Sequence, residues 1–61
     1  MKVRFMDFYA HDLVAEKTMD VLPNENDLVV INYATYEIIK NRWFCLDTED
    51  GDFISIFIRK L

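Results

Sequence analysis

Residues 43–58, WFCLDTEDGDFISIFI, contain the clearest turn signal of the chain. Asp50-Gly51 lies between two apolar runs, which is the pattern of a tight β-hairpin. A hairpin at the surface of a small domain alternates apolar and polar side chains, so that one face is dry and the other is wet. Here the arms are Trp-Phe-Cys-Leu and Phe-Ile-Ser-Ile-Phe-Ile. Both faces of the predicted hairpin are therefore apolar, and something must cover the second face.

Alternation along the last strand separates two rows of side chains. Ile54, Ile56 and Ile58 share one face, whereas Phe53 and Phe57 lie on the other. The isoleucine row predicts a buried core, and the Phe face is the one that needs an explanation.

Two registers of the hairpin are compatible with the turn residues. A two-residue type I′ turn at Asp50-Gly51 puts Phe44 opposite Phe57. A three-residue turn at 49–51 with a Gly bulge shifts the pairing by one residue, so that Trp43 and Cys45 join the Phe face instead. In both registers an aromatic residue of the first arm lies on the same face as Phe57.

The rest of the chain also has the pattern of strands and turns. We predict strands at 2–9, 13–21, 28–31, 35–47 and 52–60, turns at 10–12 and 32–35, and a loop at 22–27. The strand at 28–31 is apolar throughout, which predicts burial on both faces, and the long strand is predicted to bend near Lys40-Asn41. A helix at 33–42 is the competing prediction, but β-branched and aromatic residues favour the strand.

Short strands joined by short turns predict one all-β domain over residues 1–61. We expect a five-stranded antiparallel meander, curled into a small SH3-like barrel or a strongly bent sheet, with consecutive strands as neighbours.

The size of the domain predicts a need for additional stabilisation. Chains below roughly 70–80 residues rarely build a sufficient core without disulfides, a metal or a second chain. The single cysteine, Cys45, cannot close an internal disulfide, and with the single histidine, His11, it cannot complete a four-ligand zinc site. We therefore expect no metal or cofactor, and either dense aromatic packing or a homodimer.

The charge balance disfavours polyanionic partners. The sequence has 11 acidic and 7 basic residues, a net charge of −4, whereas nucleic acids and anionic membranes are bound by Lys and Arg. The longest apolar runs, at 28–31 and 43–46, are too short to span a membrane. The first residues lack the apolar segment of a signal peptide, and a lone thiol is typical of a reducing compartment, so we expect a cytoplasmic protein.

Two hypotheses account for the second face of the hairpin. In the first, strands 1 and 2 curl over it and it is ordinary core. In the second, it is an interaction patch, because aromatic residues and Arg are enriched at protein interfaces. Its predicted members are Phe57, Phe53, Phe44 or Trp43, with Arg42 and Arg59 as a polar rim. Phe57 would then be buried between two chains, with the last strand as a sheet edge open to a second copy.

Catalytic and metal chemistry find little support in the residues. His11 has no neighbouring nucleophile, and Cys45 lies within an apolar strand, where cysteine is an unreactive small hydrophobe. The acidic stretch at 47–52 does not fit a calcium-binding loop, since the first ligand position would be Leu46 and the twelfth Phe57. No catalytic residue is predicted.

The layout resembles small β proteins encoded by phages and mobile elements. The shared features are a "KVRF"-like first strand, a Pro-containing loop, the segment "YEIIKNRW" and a C-terminal hairpin with a Gly turn. The resemblance implies a protein that acts by binding, often by interfering with a host enzyme or defence system, and it implies no role for any single residue.

The main hypothesis is therefore a non-enzymatic interaction protein, a homodimer that binds and modulates or inhibits another protein. One alternative is a β-barrel that binds single-stranded nucleic acid by stacking bases on Phe53 and Phe57 beside Arg59. Another is a structural subunit of a larger particle.

Overall fold

The computed structural model describes residues 1–39 and 42–61 and contains one five-stranded sheet. Its strands are β1 (Lys2–Asp7), β2 (Leu13–Thr18), β3 (Leu28–Ile31), β4 (Ala34–Thr48) and β5 (Gly51–Lys60). The sheet is strongly curled into a half-barrel, which confirms the predicted all-β fold class. The alternative prediction of a helix at 33–42 is wrong for the described residues, because Tyr33 lies in a turn and the described residues from Ala34 onwards belong to β4. The predicted bend at Lys40-Asn41 lies outside the described residues.

The strand order differs from a simple meander in one place. The order is β2-β1-β5-β4-β3, and β1 runs parallel to β5. The prediction that all consecutive strands are neighbours is wrong for β2 and β3, which lie at opposite edges of the sheet. The prediction that the last strand is an edge is also wrong, because β5 lies between β1 and β4. A central position lets the most apolar strand of the chain bury its backbone and its isoleucine row together.

The core lies on the inner face of the curled sheet. It consists of six almost fully buried side chains: Val3, Phe5, Ile38, Ile54, Ile56 and Ile58. Met19 and Leu22, from the segment between β2 and β3, pack against this cluster. The predicted isoleucine row is thus the centre of the core, and the long β2–β3 connection closes over it.

Strand β3 is buried on one face only. Val29 and Ile31 pack against the core, but Leu28 and Val30 are exposed. The prediction of burial on both faces is wrong, because β3 is an edge strand of a single sheet and its outer face has no second layer to pack against.

A tight turn follows β1 and ends that strand at Asp7, two residues before the predicted end. The Asp7 carboxylate accepts a hydrogen bond from the Ala10 amide at 2.6 Å, and the Asp7 carbonyl accepts one from the His11 amide at 2.8 Å. His11 adopts a left-handed backbone conformation, with φ 61°. An Asp side chain that bonds to the backbone a few residues ahead is typical of such turns. Strand β2 then ends at Thr18 rather than at residue 21.

Candidate interaction surface

The register of the β4–β5 hairpin decides which side chains share the second face. Trp43 lies opposite Ser55, and Cys45 opposite Phe53. Trp43 and Cys45 are therefore on the Phe face, as in the Gly-bulge alternative, although neither predicted set of pairs is formed. Phe44, opposite Ile54, lies on the inner side.

The shift arises from two local features of the hairpin. At the turn, Thr48 pairs with Gly51, which has φ 84°, and the Thr48 hydroxyl accepts a hydrogen bond from the Asp50 amide at 3.1 Å. Next to it, residues 46–47 oppose the single residue Asp52, which is a β-bulge. Asp47 has φ 57° there, and its amide donates to the Asp52 carboxylate at 2.8 Å. This bulge carries Trp43 and Cys45 to the outer face.

A row of apolar side chains crosses the outer face of the sheet. Met6 of β1 lies opposite Leu13 on one side and Phe57 on the other. Beyond Phe57, the Trp43 ring meets the Phe57 ring edge to face, with 5.3 Å between centroids. The row therefore connects β2, β1, β5 and β4, and its order depends on the parallel pairing of β1 with β5.

Phe57 is covered by its own chain. It is only 9% exposed. The ring of His11, a residue of the β1–β2 turn, lies 6.1 Å from the Phe57 ring between centroids, so this turn packs over Phe57. Phe8, His11, Trp43 and Phe57 line a shallow pocket of about 80 Å³. The turn after β1 covers the second face, rather than strands 1 and 2. The exposed aromatic next to Phe57 is Trp43, at 58%.

Phe53, the other predicted aromatic of this face, lies beneath a charged side chain. The Arg4 guanidinium carbon is 4.0 Å from the centre of the Phe53 ring. Arg4 also pairs with Glu16 at 2.8 Å and with Asp50 at 3.1 Å. The hydrogen bond to the Glu16 carboxylate, followed by that to Asp50, raises the pKa of Arg4 above its ordinary value. This end of the outer face is therefore polar at its surface.

The two predicted rim arginines lie in different places. Arg59 pairs with Glu37 at 2.6 Å on the outer face. Arg42 lies opposite Ile56 and donates to the Pro23 carbonyl at 2.7 Å and the Asn24 side-chain oxygen at 2.9 Å. Arg42 thus holds the β2–β3 connection against β4.

The six predicted site residues consequently divide into two groups. Phe53, Phe57, Trp43 and Arg59 share the outer face, whereas Phe44 and Arg42 belong to the inner side. Phe44 forms an exposed apolar pocket with Met1 and Leu46, of about 110 Å³.

Sequence reasoning missed the contributions of β1 and of its turn. Met6, Phe8 and Leu13 join the outer row, and Arg4 covers Phe53. The alternation within 2–9 shows which side chains share a face of β1. No local signal indicates that β1 pairs with β5, because the paired residues are more than 45 positions apart in the sequence.

Cys45 and His11 are not brought together with other reactive groups. Cys45 is half-buried, with its Sγ 3.8 Å from the Trp43 carbonyl and 4.0 Å from the Ser55 hydroxyl, so its surroundings are less apolar than predicted. His11 packs on Phe57. Within the described residues, no three His, Cys, Asp or Glu side chains cluster in a way that could hold a metal ion.

Across residues 1–39 and 42–61 there is no helix of the length and apolarity required to cross a membrane.

Neither a protein-family model, nor a curated protein, nor a solved structure matches this chain.

Proposed function

We propose that this protein acts without catalysis, by binding another protein through its outer face. The binding surface, here called the outer patch, consists of Phe8, Leu13 and Trp43 around the buried Phe57. The observation that carries the proposal is the exposure of Trp43 beside Phe8, on the same face as the exposed Leu13, because large apolar side chains grouped at a surface mark interaction sites.

The composition of the outer patch supports a protein partner. Aromatic residues and Met are enriched at the centre of protein interfaces, and polar pairs surround them. Here Trp43 and Phe8 provide the apolar centre of the outer patch, with Met6 next to Phe57 beneath it, while the Arg59–Glu37 and Arg4–Glu16 pairs flank it. Trp is also a frequent hot-spot residue.

The net charge favours a particular kind of partner. At −4 the chain is acidic, and an acidic protein associates faster with a basic surface. Together with the resemblance to phage and mobile-element proteins, this supports a cytoplasmic target in the host, namely an enzyme or a defence component that the protein modulates or inhibits.

Four of the six Lys and Arg side chains in the described part of the chain are already engaged within the protein, which makes them less suited to nucleic acid. Arg4 and Arg59 pair with carboxylates, Lys2 donates to the Asp50 carbonyl at 2.6 Å, and Arg42 bonds to the β2–β3 connection. Phosphate contacts would have to displace these bonds. We therefore favour the protein-binding function over stacking of single-stranded bases.

Affinity purification with quantitative mass spectrometry tests the proposal. Tagged wild-type protein is compared with Trp43→Ser and with Val21→Ser, which removes an even more exposed apolar side chain outside the outer patch. We expect a specific partner to be retained by wild type and Val21→Ser and lost with Trp43→Ser. A partner retained equally by all three proteins would refute binding through the outer patch.

A further inference from the structure

The segment 43–47 of β4 forms a free edge of the sheet. β3 pairs only with the first residues of β4, at Ala34–Glu37, and the loop before β3 bonds to Ile38. From Trp43 to Asp47, β4 has β5 on one side. Among the described residues, no other strand or loop forms backbone hydrogen bonds on the opposite side of this segment.

The hydrogen-bonding pattern identifies which backbone groups face outwards. The Ile38 amide and carbonyl bond to Asp27 and Asn26, so they point away from β5. In an antiparallel ladder, alternate residues point their backbone groups to opposite sides. The β4–β5 register shifts between Ile38 and Arg42, so the alternation is followed along β5, whose pairing with β1 is regular from Ile54 to Ile58. Ile54 and Ile58 belong to the same alternate set, and Phe44 lies opposite Ile54. The Phe44 N–H and C=O therefore face outwards, whereas those of Cys45 face β5.

The second strand confirms this assignment. The Ile58 carbonyl accepts a hydrogen bond from Phe8, so the backbone groups of Ile58 and, by alternation, Ile54 point towards β1. Because the backbone groups of Ile54 point towards β1, the Phe44 N–H and C=O have no hydrogen-bond partner in β5.

We propose that this free edge pairs antiparallel with the same segment of a second copy of the chain, about a two-fold axis at Cys45. Phe44 then exchanges backbone hydrogen bonds with Leu46 of the second copy, and the reverse pair follows by symmetry. Trp43 lies opposite Asp47, and the two Cys45 residues form a non-hydrogen-bonded pair at the centre. The axis is placed at Cys45 because it is the midpoint of the free segment 43–47.

The charges at the two ends of the edge favour a second copy as the occupant. Arg42 lies at one end, where the described acceptors of its guanidinium are neutral oxygens. Asp47 and Glu49 lie at the other end. Antiparallel pairing of the edge with itself brings the basic end of each copy to the acidic end of the other, twice in one dimer, whereas parallel pairing would place like charges together.

The apolar side chains of the edge fit the same arrangement. Trp43 on the outer side and Phe44 and Leu46 on the inner side are all exposed in the single chain. A long, exposed, apolar edge strand is a template for pairing with another chain. Two-fold pairing places side chains of the second copy beside Trp43 on the outer side and beside Phe44 and Leu46 on the inner side, and it leaves the outer patch facing solvent.

Chemical synthesis of the chain with N-methyl-Phe44 provides the sharpest test. The methyl group removes an outward N–H without removing a side chain or a β4–β5 hydrogen bond. Two hydrogen bonds are lost per dimer, so we expect the dimer to weaken by at least roughly thirtyfold in analytical ultracentrifugation. Phe44→Val, which keeps the N–H, is the matched variant and should weaken the dimer less. Circular dichroism establishes that each variant is folded.

Oxidative cross-linking provides a second measurement that does not depend on how the N-methyl variant folds. The central non-hydrogen-bonded pair brings two Cys45 residues within the distance of a disulfide. We expect wild-type protein to form a covalent dimer with a mild oxidant, and Val21→Cys in a Cys45→Ser background not to do so under the same conditions. A wild-type monomer at high micromolar concentration, a dimer unaffected by N-methyl-Phe44, or equal cross-linking at Cys45 and Val21→Cys would each overturn the proposal.

Discussion

The indole ring of Trp43 meets the ring of Phe57 edge to face, with 5.3 Å between centroids and 69° between planes. The two residues belong to adjacent strands, yet their environments differ. Phe57 is 9% exposed beneath the β1–β2 turn, whereas Trp43 is 58% exposed. One aromatic pair therefore joins the packed interior of the outer face to its accessible surface, so the two residues should respond differently to truncation.

Truncation of Phe57 should mainly reduce the free energy of unfolding. Removing a buried Phe side chain costs about 3–5 kcal/mol, so we expect Phe57→Ala to unfold at much lower urea concentration than wild type. Trp43→Ala, which removes a mostly exposed ring, should cost roughly 1 kcal/mol. Urea titrations followed by circular dichroism compare the two. If Phe57→Ala left the unfolding midpoint unchanged and only dissociated a dimer, Phe57 would be an interface residue instead.

The hairpin turn depends on the conformation of Gly51. Its φ is 84°, and a Cβ added there would meet no atom within 4 Å, so only backbone strain opposes a side chain. We expect Gly51→Ala to lower the free energy of unfolding by about 1 kcal/mol. Gly51→Asn should lower it less, since Asn tolerates the left-handed region. Equal losses for both variants would show that strain at φ 84° is not the cause.

The β3–β4 turn offers a stabilising substitution. Asn32 and Tyr33 have φ 53° and 68°, and they connect the pair Ile31–Ala34, as in a two-residue type I′ turn. Tyr33 is 100% exposed, so its ring has no packing to lose. We expect Tyr33→Gly to raise the free energy of unfolding by about 0.5–1 kcal/mol, because Asn-Gly suits this turn. Tyr33→Ala is the control and should show no comparable gain in the midpoint of thermal unfolding.

The position of Arg4 over Phe53 predicts a ranking of substitutions. Arg4→Lys keeps the charge but loses the planar group that stacks on the ring and bonds to Glu16. Arg4→Ala loses both. We expect stability to fall in the order wild type, Arg4→Lys, Arg4→Ala, as measured by urea unfolding at one ionic strength.

The pH dependence of this contact follows from the raised pKa of Arg4. A group whose pKa is higher in the folded state stabilises the fold below its unfolded pKa, and this contribution disappears as pH rises through the folded value. The ordinary pKa of Arg already lies far above the neutral range. Arg4 therefore stays charged across the neutral range, and we expect the difference in free energy of unfolding between wild type and Arg4→Ala to be the same at pH 6 and at pH 9. Loss of this difference between the two pH values would contradict the prediction.

The hairpin and the isoleucine row follow from local sequence. The alternation through Ile54, Ile56 and Ile58 is confirmed as the core, and the strand at 35–47 is confirmed in preference to a helix for its described residues. These features depend on neighbouring residues, whose side chains alternate at period two and whose turn residues tolerate positive φ. The sequence likewise indicated that the second face of the hairpin, which is the outer face of the sheet, is apolar.

The side chains that pack against the outer face of the hairpin depend on contacts between distant parts of the chain. The parallel pairing of β1 with β5 brings Met6 beside Phe57, and the Asp7 turn then brings Phe8 and His11 over the same ring. The bulge at residues 46–47 decides that Trp43 rather than Phe44 shares the face. Pairing between distant strands is selected by the total burial of the folded sheet, and no short stretch of residues specifies it. Local residue patterns therefore specify the strands and the core face, whereas long-range packing specifies which aromatic side chains remain exposed.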